Sequence, residues 1–216
     1  MTADLSGSWF GDRAVLVPVP AHEARAELVA CLERSLPGRE VRAGIDAVLV
    51  ESPRPDLDLL DDVRAALADH RGPVSATRAR PGREVVLPVT YDGVDLADVA
   101  SLLDSTEADL VAAHTTQTWE VAFVGFAPGF GYLEPAGPAV LDWSSLPRLD
   151  APRARVPRGS VALAAGCSAV YPAAMPGGWR LIGATSAVLF DPTASDPALL
   201  HPGDIVRFVV VAGAHA

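Results

Sequence analysis

The chain has 216 residues, half of them hydrophobic, with 17 basic against 27 acidic side chains and a formal charge of -10. That length holds one large domain or two small ones, and the apolar fraction is enough for a real core. The acidic balance opposes nonspecific binding to nucleic acid or anionic lipid. A local basic pocket stays open to it, because Arg148, Arg153, Arg155, Arg158 and Arg180 fall within one stretch and lysine is absent altogether. The two cysteines, Cys31 and Cys167, have no metal-ligand neighbours in sequence, which points away from a disulfide scaffold and towards a reducing cytoplasm. Neither a signal peptide nor an apolar run of bilayer-spanning length is expected, so the predicted location is cytoplasmic.

In chain order, Ala14 to Val19 predicts a short strand, and residues 21–35 a helix with Ala24, Leu28, Cys31 and Leu32 on one side. Pro37-Gly38 stops it. Val41–Ile45 and Ala47–Val50 predict two strands joined by a tight turn. Asp58 can cap a second helix with Leu60, Val63 and Leu67 on its stripe, and Val74–Arg80 can supply a last strand. The order β-α-β-β-α-β is the ferredoxin-like split, with a boundary expected at Pro81-Gly82.

The second half opens with the strand Val85–Val89 and a helix from about Asp95 to Leu103. Thr106 to Asp109 reads as a capping box for a helix reaching about Ala113, with His114 at its end. The rest reads as strands interrupted by glycine and proline: Thr118–Phe126, Ser160–Ala164, Ala169–Tyr171, Leu181–Ile182, Ala187–Phe190 and Ile205–Val211. Such spacing predicts a closed or strongly curved β structure.

Two segments hold the chemistry the residues offer. Gly125 to Leu133 places Phe126, Phe130 and Tyr132 around Pro128-Gly129, and Pro176 to Gly183 places Trp179 and Arg180 after Gly177-Gly178. Each reads as a loop shaped for a small polar ligand or as a well-packed barrel corner. His114 reads as a C-capping residue or as a proton-transfer group. Arg153, Arg155 and Arg158 form a proline-pinned loop, able to hold a carboxylate or phosphate or to be a solvated face. Cys167 reads best as an inert buried thiol. No metal-ligand spacing occurs.

Taken together and in order, the early Gly11–Ala14 run, His114, Val124–Leu133, Pro152–Val161, Tyr171-Pro172, Pro176–Gly183, Leu189–Pro192 and Pro202–Asp204 resemble the PxpB family of 5-oxoprolinase subunits. That family also carries the name allophanate hydrolase subunit 1 and includes the kinase inhibitor KipI. The resemblance implies an α+β chain, with a ferredoxin-like domain over residues 1–81 and a cyclophilin-like β-barrel over 82–216. It implies ATP-dependent opening of the 5-oxoproline lactam to glutamate, with a second cyclophilin-like subunit (PxpC type) and a third subunit (PxpA type). It implies ATP with Mg²⁺, catalytic roles for His114 and Arg153, and binding roles for Pro128, Gly129, Phe130, Tyr132, Arg155, Gly177, Gly178 and Arg180. A KipI-like regulator of a histidine kinase and an allophanate-type amidohydrolase subunit are the alternatives. Ala165, Cys167, Ala169 and Ala184 depart from the family pattern, which has Gly, Gln, Gly and Arg there.

Overall fold

The computed structural model describes residues 6–19, 22–69 and 82–211. The chain separates into two compact units, residues 1–79 and 80–216. The expected strand at 74–80 lies outside the described residues.

In the first unit, β1 (Ser8–Trp9), β2 (Ala14–Pro18), β3 (Glu40–Ala43) and β4 (Ala47–Glu51) form one antiparallel sheet in the order β1-β2-β4-β3. Two helices, α1 (His22–Ser35) and α2 (Leu59–Asp69), complete it. Alternation sets the burial: Val15 and Val17 from β2 and Val48 and Val50 from β4 share a core with Leu28, Leu32, Leu59 and Val63 from the helices. The β3–β4 hairpin closes through the Gly44 amide, which donates to the Ala47 carbonyl at 2.8 Å.

The second unit is a seven-stranded sheet. Its members are β5 (Glu84–Val89), β6 (Trp119–Val124), β7 (Gly131–Pro135), β9 (Ser160–Ala164), β10 (Cys167–Val170), β12 (Arg180–Ala184) and β13 (Ile205–Val210). The order is β12-β9-β10-β7-β6-β13-β5. The two edges meet: Thr90, just past β5, exchanges backbone hydrogen bonds of 2.8 and 2.9 Å with Ala184 at the end of β12. A nearly closed barrel results. A separate ribbon pairs β8 (Arg153–Val156) with β11 (Met175–Gly177). Helices α3 (Leu96–Leu102) and α4 (Glu107–Thr116) precede β6. Leu110 and Ala113 of α4 join Trp119, Val121, Leu133, Val161, Leu163, Val170, Ile182 and Phe208 in the barrel core.

Local signals explain most of these bounds. The Asp109 amide donates to the Thr106 hydroxyl, as an N-cap requires, but the Asp109 carboxylate accepts from that same hydroxyl instead of reaching the backbone. Helix α4 runs to Thr116, about one turn beyond the predicted end, so His114 faces inward rather than terminating it. Ala187–Phe190, predicted as a strand, is not one. Leu189 is fully buried in the core, and only an isolated bridge from Phe190 to Ala198 forms. Leu189 and Ala187 pack on the barrel core while Val188 faces solvent. Conversely, β7, β8 and β11 arise in stretches read as loops.

The two-residue turn between β9 and β10 holds one of the departures from the family pattern. Ala165 has φ +49° and Gly166 +83°, the left-handed pair such a hairpin needs. A Cβ is strained there, so Ala165→Gly is expected to raise stability by about 0.5–1 kcal/mol, read as a higher melting temperature. An unchanged or lower value would contradict the strain.

Candidate functional site

Strand alternation divides the β9–β10–β7 sheet into two faces with different contents. Val161, Leu163, Val170 and Leu133 point into the barrel core. Their neighbours Ala162, Ala164, Cys167 and Ala169 point outward, and all four are fully buried. Small outward residues make room for an aromatic layer laid over them.

That layer is built from segments distant in sequence. Tyr132 stacks on Phe123 at 4.3 Å between centroids and meets Phe130 at 5.1 Å and Trp179 at 5.6 Å. Phe130 also meets Tyr171 edge-on at 5.4 Å and Trp179 at 5.9 Å. Phe130, Tyr171 and Trp179 are buried, whereas Tyr132 is half-buried and keeps an open edge. Burial pushes the Tyr132 and Tyr171 hydroxyls above their ordinary pKa, for Tyr132 against the Arg148 charge and for Tyr171 against a hydrogen bond to the Trp179 backbone and the Arg148 and Arg153 charges. Both therefore stay protonated at neutral pH, and the Tyr132 hydroxyl can donate.

Glycine admits this packing at Gly177, where a Cβ would lie 2.2 Å from the Tyr171 hydroxyl oxygen. Gly177→Ala is expected to cost about 1–3 kcal/mol through forced repacking, checked by denaturant unfolding. Wild-type stability in that variant would show that the Tyr171 ring can move aside. Gly129 has φ +79° and sits against Leu189 and Phe190, so its role is to seat the β6–β7 loop. Pro128 is exposed at that loop's tip.

Arg153 and Arg180 flank the Trp179 segment of this layer. Arg153 pairs with Asp95 at 2.7 Å. The other Asp95 oxygen accepts from the Leu181 amide at 2.7 Å, so the carboxylate ties α3, β8 and β12 together. The Arg180 Nε donates to the Pro147 carbonyl at 3.1 Å, and the Leu149 amide donates to the Gly178 carbonyl at 2.7 Å. Arg155 and Arg158 are exposed.

His114 does not join this group. Its ring is wholly buried on the inner face, 4.4 Å from Phe208 and 5.1 Å from Trp119 between centroids. The Tyr91 hydroxyl lies 2.7 Å from Nδ1 and the Ser168 hydroxyl 3.0 Å from Nε2. Burial pulls its pKa down to about 3, so the ring is neutral. The predicted gathering of His114 with the aromatic loop and Arg153 is thus corrected: Ser168 turns inward to His114, and its neighbour Cys167 turns outward. The structure does bring together Phe130, Tyr132, Gly177, Gly178, Arg153 and Arg180. Sequence reasoning missed Asp95, whose position before α3 reads as an ordinary cap. Its side chain makes no cap bond.

Among the described residues, no group of three or more His, Cys, Asp or Glu could hold a metal ion. No helix among the described residues is long and apolar enough to cross a membrane.

An outward aromatic bed flanked by Arg153 and Arg180 thus lies on the curved β sheet. Residues 6–200 match the carboxyltransferase domain, subdomain C and D, and the chain belongs to that family. It is 45% identical over 130 residues to the 5-oxoprolinase B subunit of Escherichia coli O157:H7, covering 59% of this chain and 58% of that one. It is 40% identical to the 5-oxoprolinase B subunit of Bacillus subtilis (strain 168), again over 59% of this chain and 52% of that one. The matches thus span only a little over half the length of these curated relatives. Among solved structures, TTHA0988 superposes with a TM-score of 0.69 at 32% identity, over 93% of this chain and 40% of that one. Kluyveromyces lactis urea amidolyase superposes at 0.71 with 20% identity, over 97% of this chain and 15% of that one, a likeness of fold alone.

Proposed function

We propose that this chain is a subunit of an ATP-dependent 5-oxoprolinase, which hydrolyses the lactam of 5-oxo-L-proline to L-glutamate. In this reading residues 1–81 are a ferredoxin-like domain and 82–216 a cyclophilin-like barrel. The chain works in the cytoplasm with a second cyclophilin-like subunit of PxpC type and a third of PxpA type. The observation that carries the reading is the outer aromatic layer. Phe130, Tyr132 and Trp179 meet there beside Gly177, Gly178 and an arginine rim.

The chemistry suits that arrangement. A lactam amide is a poor electrophile, and its carbonyl gains negative charge as it is attacked. The open edge of Tyr132 offers a flat apolar surface for the ring and a protonated hydroxyl for that oxygen. Phe123, Phe130 and Trp179 hold the Tyr132 ring in place. Arg153, already bound to Asp95, fixes the rim rather than acting as a free cation. ATP and its magnesium would be handled by residues of the assembled enzyme.

The test is reconstitution with the two partner subunits. ATP-dependent glutamate release is expected from the complex and none from this chain alone. Full turnover by the isolated chain, or none by the complex, would overturn the proposal.

A further inference from the structure

The arginines of the outer face are not equivalent. Arg153 is neutralised by Asp95 at 2.7 Å, and Arg180 spends a donor on the Pro147 carbonyl at 3.1 Å. Among the described residues the Arg148 guanidinium has no hydrogen-bond or ion-pair partner. Its backbone is nonetheless fixed on both sides, since Arg180 holds Pro147 and the Gly178 carbonyl holds the Leu149 amide at 2.7 Å. The same Gly178–Arg180 segment carries Trp179, whose ring lies 5.6 Å from that of Tyr132. The Tyr132 hydroxyl likewise has no hydrogen-bond partner among the described residues. Among the described residues, an Arg148 side chain and a Tyr132 hydroxyl without partners therefore flank the segment that carries Trp179.

We propose that Arg148, and not Arg153, is the residue of this chain that binds the carboxylate of its ligand, next to the Tyr132 hydroxyl. The proposal rests on the reading that the outer face takes a small anionic lactam. It adds the residue that selects the anion. Arg148 sits between Pro147 and Leu149, both bonded to the Gly178–Arg180 segment that carries Trp179, and its charge acts on Tyr132 and Tyr171, the latter also feeling Arg153. Arg155 and Arg158 are exposed, and no such backbone contact ties their neighbours to the Gly178–Arg180 segment among the described residues. A planar guanidinium meets a carboxylate with paired donors, which a neutral analogue cannot use.

The test is calorimetric titration of the intact chain with three probes: L-5-oxoproline, its neutral carboxamide, and cyclopentanecarboxylate. Arg148→Ala is expected to weaken both carboxylates by about 10- to 100-fold and to leave the carboxamide unchanged. Arg148→Lys should restore part of the loss. Arg153→Ala should lower the melting temperature while the preference for carboxylates persists. Equal binding of L-5-oxoproline to wild type and Arg148→Ala would overturn the proposal and leave the lactam reading standing. Cyclopentanecarboxylate bound as well as L-5-oxoproline, and lost in Arg148→Ala, would support the anion site and remove the lactam reading. No carboxylate binding by wild type would overturn the proposal.

Discussion

His114→Ala is expected to destabilise the barrel by about 3–5 kcal/mol, because removing a packed ring leaves a cavity among Trp119, Trp143 and Phe208. It also strands the buried Ser168 hydroxyl and removes a partner from Tyr91. The pH dependence follows from the same burial. The folded ring takes a proton only near pH 3, whereas the unfolded chain takes one near 6.5. Between these values the unfolded state binds more protons, so stability rises with pH there. The contribution is complete above the ordinary histidine pKa and declines as the pH falls towards 3, by at most about 1.4 kcal/mol per pH unit. Urea unfolding followed by the near-ultraviolet signal of Trp119 and Trp143 should show this slope. In His114→Gln, which does not titrate, that part of the slope should vanish. An unchanged slope would place the titration elsewhere.

Asp95→Ala should have the second large effect, about 2–4 kcal/mol. It leaves the Arg153 charge and the Leu181 amide without their shared acceptor. Because Asp95 is almost wholly buried, while Arg153 retains access to solvent, Arg153→Ala should cost somewhat less. Chemical denaturation of both single variants and the double variant gives the coupling directly. Strict additivity would mean that the pair contributes nothing beyond its separate contacts.

These two residues also show what the sequence could and could not disclose. Apolar alternation announced β2, β4, β5, β9 and β13, because each has a clearly apolar face or faces. Pro37-Gly38 marked the end of α1 and Pro202-Gly203 the turn before β13. The strand β7 was hidden, since Gly131, Tyr132 and Pro135 carry turn grammar and become a strand only between β6 and β10. The ribbon of β8 and β11 depends on a pairing between Arg153 and Gly177 that no local pattern encodes. His114 was visible as a special residue, yet the direction of its ring depends on how α4 packs. The bond from Asp95 to Arg153 crosses 58 positions of the chain. The loops of the outer face were legible because large rings beside glycine are costly to place without a reason. Which arginine is free and which is paired emerges only from the fold.

The most direct test of the outer face as the lactam site is Tyr132→Phe in the reconstituted complex. The change keeps the ring that packs on Phe123, Phe130 and Trp179 and removes only the hydroxyl. Glutamate release should fall by about 10- to 100-fold in kcat/KM, with the melting temperature of the chain nearly unchanged. Wild-type turnover from a folded Tyr132→Phe complex would contradict the account.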